Sequence, residues 1–228
     1  MNRFLSFPQL SGSALKIIAI LSMVIDHCAY YLLEHSTVLY EAMRCVGRIA
    51  FPVFAFLITE GFLHTQNRKR YFLQLLAFAI LSEIPWYLLN RTDGTHNVMF
   101  TLALGVVTLA LLDRCCEHKT LSFMAVALVA VLAYYMGTYY DWRGILMIAI
   151  FYMTQPQADN LQGRMIQILF TFPLMIHYGI IGAIFASVVI LSYNGDRGFI
   201  RGKAWKYIFY AFYPVHLLLI YMLITVVQ

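Results

Sequence analysis

The stretch SMVIDHCAYY, residues 22–31, places two ionisable side chains inside an apolar run that extends from Ala14 to Leu33. Asp26 and His27 are both unfavourable in hydrocarbon, so their presence indicates either an ion pair or a site that faces the interior of a helix bundle. His27 is the stronger candidate for chemistry, because an imidazole with a pKa near its usual value of ~6.5 can accept a proton at neutral pH.

Lys16 precedes His27 by eleven residues. Eleven residues are about three helical turns, so both side chains lie on one face of a helix, separated by ~16 Å along its axis. Lys16 could line the same channel as His27 or simply extend to the cytoplasmic interface. Asp26 cannot share that face, because adjacent helical residues point in different directions. We therefore expect Asp26 to pair with a cation on another helix, with Arg48 as the first candidate.

The composition excludes a soluble protein. Of the 228 residues, 61% are hydrophobic and 12% are charged, and the mean hydropathy is +0.72. One soluble core cannot bury so much apolar surface, so the chain is predicted to be an all-α polytopic membrane bundle forming a single domain over residues 1–228. The four cysteines do not have the spacing of a metal site or of a disulfide framework. The net charge is +5, but the sequence has no long basic segment that would indicate nucleic acid binding.

Apolar segments separated by short polar loops predict about nine transmembrane or partly spanning helices. Several segments are shorter than the ~20 residues of a full crossing, so tilted, partial or re-entrant helices are expected among them. The tract 164–193 is divided at Pro173 and Gly179, because these residues interrupt helices. The predicted spans are 14–33, 46–63, 71–89, 97–112, 121–136, 143–155, 164–176, 178–193 and 206–227.

With the basic loops in the cytoplasm, five segments bring polar residues to a similar depth near the outer side of the membrane. An isolated polar residue would be ambiguous, but several at one depth favour a functional site. Glu60 is expected at the inner interface instead. The residues of the outer layer are Asp26, His27, Arg48, Glu83, His96, Asn97, Asp141 and Arg143.

Several of these polar positions lie within longer motifs, namely LKIIAILSMVIDH, GRIAFPVFAFLITEGFLHT, LSEIPW, NVMFTLALG, YNGDRG and KYIFYAFYPVHLLLIY. In this order the motifs resemble the sequence blocks of the TraX family. The resemblance extends from Leu15 to Tyr221 and is weak between Cys115 and Met175.

This resemblance implies an integral membrane acetyltransferase of the bacterial inner membrane that uses acetyl-CoA to modify the N-terminal amine of a pilin-like peptide. The pattern Lys16-x10-His27 is also similar to a basic-x10-His signature in the acyltransferase-3 family, in which the histidine is held to be essential. We therefore expect His27 to be the general base, with no metal involved.

Further roles follow from the resemblance and from the chemistry of thioester transfer. The oxyanion of the tetrahedral intermediate needs a donor, which Arg48 or Asn97 could supply, and Asp26 and Glu83 complete the expected catalytic group. The phosphates of CoA need cations on the cytoplasmic side, and the candidates are Lys16, Arg68, Arg70, Arg197 and Lys203. The expected supporting or substrate-side residues are Glu60, His96, Asp141, Tyr213 and His216.

Other functions remain compatible with the residues. Buried Asp, Glu and His also occur in proton-coupled transporters, although these often show two matching halves, which this sequence lacks. A non-enzymatic assembly protein of a pilus is a further alternative, but it would not need a layer of polar residues. Within the enzyme hypothesis, a sugar or another small acceptor could replace the peptide.

We predict that the N-terminus is cytoplasmic and the C-terminus external. The loop NRKR, residues 67–70, has three positive charges, and the loop 194–206 has four positive charges against one acid. Both are therefore expected inside by the positive-inside rule. In a variant without the native cysteines, a cysteine at Thr225 should react with an impermeant reagent only from outside. Labelling only from the cytoplasm would contradict nine crossings.

Overall fold

The computed structural model describes residues 9–91, 93–155, 161–200 and 202–227. Within these ranges every regular element is a helix, which confirms the predicted all-α fold. The helices are α1 (Gly12–Leu32), α2 (Val38–Gly47), α3 (Ala50–Leu63), α4 (Arg68–Leu89), α5 (Val98–Arg114), α6 (Lys119–Tyr135), α7 (Asp141–Met153), α8 (Leu161–Ile176), α9 (Ile180–Leu191) and α10 (Lys203–Val227).

Four stretches are long and apolar enough to cross a membrane, namely Gly12–Leu32, Val38–Leu63, Arg68–Leu89 and Ala204–Val226. The second of them consists of α2 and α3, which are separated by a short break. The helices α6, α8 and α9 are apolar but shorter. These features confirm a helical membrane protein, while the number of crossings and their orientation stay predictions.

The helices follow the predicted spans closely. The tract 164–193 divides as predicted, since α8 ends at Ile176 with Pro173 inside it and α9 begins at Ile180 after Gly179. Gly179 has a φ of 135°, a backbone conformation that favours glycine. The prediction missed α2, because its polar residues interrupt the apolar pattern ahead of residue 46.

The chain divides into two compact units, and the prediction of a single domain is not tested by this division. Unit 1 comprises Met1–Leu57 and Thr154–Gly202, and unit 2 comprises Ile58–Met153 and Lys203–Gln228. In unit 1, α1 packs against α2, α8 packs against α9, and α2 also meets α9. In unit 2, α4 packs against α5 and α10, while α5, α6 and α7 pack together.

The start of α1 is held by the loop that follows α9. The amide of Leu10 donates to Ser192 O at 2.7 Å, and the amide of Gly12 donates to Asp196 O at 2.7 Å. The Ser13 hydroxyl donates to Arg197 O at 2.9 Å and accepts from the amide of Ile200 at 2.9 Å. The motif YNGDRG therefore provides backbone groups that position the N-terminal end of α1.

The contact between α1 and α2 is built around a buried ion pair. Asp26 Oδ2 lies 2.7 Å from Arg44 Nη1, and the Ser22 hydroxyl donates to Val46 O at 2.6 Å. A Cβ atom on Gly47 would lie 2.0 Å from Asp26 Oδ1, so the carboxylate occupies the space where a side chain would be. The expected pairing of Asp26 with a cation on another helix is confirmed, but the choice of Arg48 is wrong. Arg48 only contributes to the electrostatic environment of Asp26.

The core of unit 2 combines small and branched residues of α5, α6 and α7. Val129, Ala133 and Ile145 form a buried cluster in which α6 meets α7. A Cβ atom on Gly105 would lie 2.4 Å from Ile148 Cδ1, so this glycine lets α5 approach α7 closely. Close packing through small residues is the usual way in which membrane helices associate.

We predict that Gly47→Ala destabilises the protein, whereas Gly12→Ala does not. The added methyl group at position 47 would displace the Asp26 carboxylate, and overpacking of this kind typically lowers the free energy of unfolding by ~1–3 kcal/mol. A Cβ atom at position 12 would meet its nearest atoms at 3.5 Å, which is an ordinary contact. Thermal unfolding in detergent measures the difference, and equal Tm values for the two variants would contradict the packing described above.

Candidate functional site

The buried face of α1 differs from the face that carries Lys16 and His27. Leu15, Ala19, Ser22 and Asp26 form the buried face, at intervals of three to four residues. Lys16 and His27 are half-buried, next to this face. Because α1 is continuous from Gly12 to Leu32, the two residues lie eleven positions apart on one unbroken helix, as expected.

His27 and Asp26 have separate environments. The imidazole of His27 lies next to the ring of Tyr31, with 6.0 Å between the ring centroids. Asp26 is engaged by Arg44, whose guanidinium also lies 5.1 Å from the ring centroid of Tyr30. The structure therefore gives Asp26 a bracing role between α1 and α2.

Arg48 lies immediately after α2, on the side that faces α9. A Cβ atom on Gly182 would lie 2.3 Å from Arg48 Cβ, so a glycine in the first turn of α9 accommodates the stem of this arginine. Its guanidinium contributes to a cleft lined by residues of α2 and of the first turn of α9. The role of Arg48 as an oxyanion donor stays a prediction.

In unit 2, three of the expected residues come together. His96 Nδ1 lies 2.6 Å from Glu83 Oε1, and Asn97 Nδ2 donates to Glu83 Oε2 at 2.6 Å. A carboxylate accepts hydrogen bonds only, so the proton of a neutral His96 is assigned to Nδ1, and Nε2 is then the basic nitrogen. Glu83 and His96 thus form a carboxylate–imidazole pair that can position and transfer a proton.

Asn97 is engaged within the protein through both amide hydrogens, and its role as an oxyanion donor stays a prediction. Its Nδ2 group donates both to Glu83 and to Ala79 O, the latter at 2.9 Å. Its Oδ1 atom accepts from the amide of Met99 at 3.0 Å and so caps α5. With both amide hydrogens engaged and the residue fully buried, Asn97 holds Glu83 and begins a helix.

The loop that carries His96 is fixed by a second loop of the same unit. The amide of His96 donates to Gly137 O at 2.9 Å, and the amide of Tyr139 donates to His96 O at 3.0 Å. Asp141, two residues after Tyr139, pairs with Arg143 at 2.6 Å. The loop that carries His96 and the loop before α7 therefore lie side by side in unit 2, with Asp141 in a local ion pair.

The cations expected to bind CoA phosphates differ in their surroundings. Arg68 pairs with Asp113 through both of its terminal nitrogens, and its role in binding CoA stays a prediction. Arg70 is exposed at the start of α4, and Arg197 positions α1 through its peptide oxygen. Lys203 begins α10, but its side chain lies outside the described residues.

Three supporting residues are buried in unit 2. Glu60 is 8% exposed, and its expected depth at the inner interface stays a prediction. Tyr213 and His216 are buried on α10, and His216 Nδ1 lies 3.0 Å from Phe212 O. The described residues contain no group of three His, Cys, Asp or Glu side chains placed to hold a metal ion.

Two pairing residues were missed by the sequence reasoning. Arg44 lies one helical turn before Arg48, and only the packing of α1 against α2 distinguishes them. Asp113 was ignored as a helix-end residue, although it accepts hydrogen bonds from Arg68 and from the Tyr152 hydroxyl, the latter at 3.0 Å. A search for acids opposite each cytoplasmic cation could have found Asp113.

The candidate residues thus fall into two groups. Asp26, His27 and Arg48 belong to unit 1, whereas Glu83, His96 and Asn97 belong to unit 2. Their convergence in a single site stays a prediction.

Comparison with known proteins places these features in a family. The chain is 31% identical to "Probable fimbrial assembly protein FimC, serogroup H1" of Dichelobacter nodosus, over 96% of this chain and 97% of that protein. It is 25% identical to "Protein TraX" of Escherichia coli, over 70% of this chain and 62% of that protein. An uncharacterized protein of Rickettsia prowazekii is 28% identical over 65% of this chain and 57% of its own length.

No solved structure matches the chain. The family model described as "TraX protein" matches residues 11–224, which include both units and the candidate residues of each. The chain therefore belongs to the TraX family, as its motifs indicated.

Proposed function

We propose that the chain is a membrane-embedded acyltransferase that moves an acetyl group from cytoplasmic acetyl-CoA to an amine. The proposed acceptor is the N-terminus of a peptide such as a pilus subunit. Family membership supports this proposal, as does the name of the Dichelobacter relative, which refers to fimbrial assembly. The observation that carries it is the placement of Lys16 and His27 on one unbroken helix while Asp26 is engaged by Arg44.

The proposed reaction requires a base at the acceptor nitrogen. The amine attacks the thioester carbonyl carbon, a C–N bond forms, and the C–S bond breaks to release CoA. His27 accepts the proton that the nitrogen loses, and this proton can then pass to the departing sulfur. An imidazole suits this role at neutral pH because its usual pKa of ~6.5 lies close to the working pH.

On the donor side, we propose that Lys16, which lies near the N-terminal end of α1, contacts a phosphate of CoA. In unit 2, Arg70 is exposed and is a separate candidate for such a contact. Arg68 is a weaker candidate, since binding a phosphate would compete with its pairing to Asp113. Arginine and lysine side chains bind phosphate through charge-assisted hydrogen bonds.

The carboxylate–imidazole pair of unit 2 is given a positioning role in this proposal. Glu83 binds His96 and is itself bound by Asn97. The side chain of His96 is 44% exposed. His96 Nε2 could therefore exchange a proton with an acceptor or with water, while its ring orientation stays fixed. A sugar or another small acceptor would use the same chemistry with a hydroxyl group in place of the amine.

We predict that acetyl-CoA raises the Tm of the protein in detergent. Ligand binding to the folded state stabilises it by ~2.7 kcal/mol at a concentration of one hundred times Kd. Lys16→Gln should reduce this stabilisation, while Arg91→Gln, which changes an exposed cation in a loop of unit 2, should leave it intact. Absence of any shift in folded wild-type protein at saturating acetyl-CoA would argue against the acyltransferase.

We also predict that His27→Ala lowers acyl transfer by ~10²–10⁴-fold, the usual effect of losing a general base. Transfer is measured with labelled acetyl-CoA and a peptide acceptor, at equal amounts of folded protein. His118→Ala is the matched control, because this exposed histidine precedes α6.

Asp26→Asn should give a different pattern. Its main effect should be lower yield and a lower Tm, because the variant weakens a buried ion pair. Near-normal turnover of His27→Ala would contradict the mechanism, and the polar residues of α1 would then be better explained as structural or proton-conducting.

A further inference from the structure

A cleft in unit 1 combines a cation and an acid. The cleft has a volume of about 360 Å³ and lies between α2 and the first turn of α9. Its charged lining residues are Glu41 and Arg44 of α2 and Arg48, which caps the C-terminal end of α2. This volume falls within the range of small-molecule sites, ~300–1,000 Å³.

The three charged residues of the cleft differ in how they are engaged. Arg44 is neutralised by Asp26 at 2.7 Å. Among the residues that the structure describes, neither Arg48 nor Glu41 forms an ion pair or a side-chain hydrogen bond. The cleft therefore presents one positive and one negative group that do not contact each other.

The position of Arg48 is set by its neighbours. Its stem lies against glycines of α9, because Cβ atoms on Gly182 and Gly179 would fall 2.3 Å and 3.7 Å from its Cβ and Cγ atoms. Gly179 caps α9 without a side-chain hydrogen bond. The first N–H groups of a helix favour an anion, so they add to the attraction that the guanidinium provides.

The spacing of the two charges fits a zwitterion better than a simple anion. Glu41 lies on α2 and Arg48 caps the C-terminal end of that helix seven residues later, a spacing of about two helical turns and ~10 Å along the axis. That separation is too long for a direct ion pair. It leaves room for a ligand whose phosphate contacts Arg48 and whose ammonium group contacts Glu41, each over ~3 Å.

Apolar residues around the cleft point to a lipid. Ile180 and Ile181 line the cleft and are 57% and 51% exposed, and Val38 and Leu39 at the start of α2 are 89% and 59% exposed. A helix with exposed apolar residues beside charged ones is typical of the membrane interface. Acyl chains could cover these residues while the headgroup occupies the cleft.

We propose that this cleft binds the headgroup of a phospholipid that carries an amine, such as phosphatidylethanolamine. The phosphate is held by Arg48 and the N-terminus of α9, and the ammonium group is held by Glu41. This assignment takes Arg48 out of the oxyanion role considered from the sequence. It does not depend on acyl transfer, since the headgroup is bound and not modified.

The test is native mass spectrometry of the full-length protein from detergent, titrated with phosphatidylethanolamine, phosphatidylglycerol or diacylglycerol. The wild-type protein should retain phosphatidylethanolamine most strongly and diacylglycerol least. Arg48→Gln should weaken binding of both phospholipids by tenfold or more, while Arg91→Gln should not. Glu41→Gln should lower the preference for phosphatidylethanolamine over phosphatidylglycerol, and Glu34→Gln is its matched control.

The outcomes separate the proposal from its alternatives. Phospholipid binding that is unchanged in Arg48→Gln overturns it, as does an unchanged lipid preference in Glu41→Gln. Competition by soluble glycerophosphoethanolamine at the same concentration as the lipid would show a site for a free headgroup and overturn the role of the acyl chains. Glu41 is exposed, so its variant keeps the test decisive even if Arg48→Gln does not fold.

Discussion

The ion pair between Asp26 and Arg44 determines how α1 meets α2. A carboxylate and a guanidinium inside apolar helices are each unfavourable alone, and pairing offsets part of that penalty. Gly47 permits the pair, because the space of its missing side chain is occupied by the carboxylate. The contact therefore depends on a charge, its partner and a glycine together, and loss of any one of them affects the other two.

This pairing also sets the surroundings of the neighbouring functional groups. Turning Asp26 toward α2 rotates His27 by ~100° around the helix, away from the ion pair. Holding Arg44 against α1 leaves Arg48, one turn later, at the junction with α9. Asp26 and Arg44 are thus engaged in the contact between α1 and α2, whereas His27 on α1 and Arg48 after α2 lie outside that ion pair.

Much of the fold could be predicted from the sequence, because apolar length determines where membrane helices run. The break at Gly179 followed from the flexibility of glycine. The pairing of Asp26 with a cation on another helix followed from the cost of burying an unpaired charge. The short helix α2 could not be predicted in the same way. Its charged residues hide the apolar pattern, and it becomes regular only through packing against α1 and α9.

The candidate site was predicted less completely, because a sequence shows which groups are present but not how their hydrogen bonds are distributed. Asn97 illustrates this limit, since its amide suits an oxyanion until both hydrogens are found on Ala79 and Glu83. Arg68 illustrates it for charges, since a basic loop gave no sign of the pairing with Asp113.

A polar residue inside a membrane protein can take part in chemistry only if its neighbours leave one of its hydrogen-bonding groups or its charge accessible. By that criterion Asn97 and Asp26 are mainly structural. His96 keeps an exposed ring with one nitrogen engaged by Glu83, so it combines a fixed orientation with access to solvent or substrate. Arg48 differs again, because its stem lies against glycines at the start of α9 while, among the described residues, its guanidinium forms no ion pair or side-chain hydrogen bond and acts on Asp26 only through its electrostatic field. The proposed phospholipid site depends on this combination of a held stem and a guanidinium that no described carboxylate contacts directly.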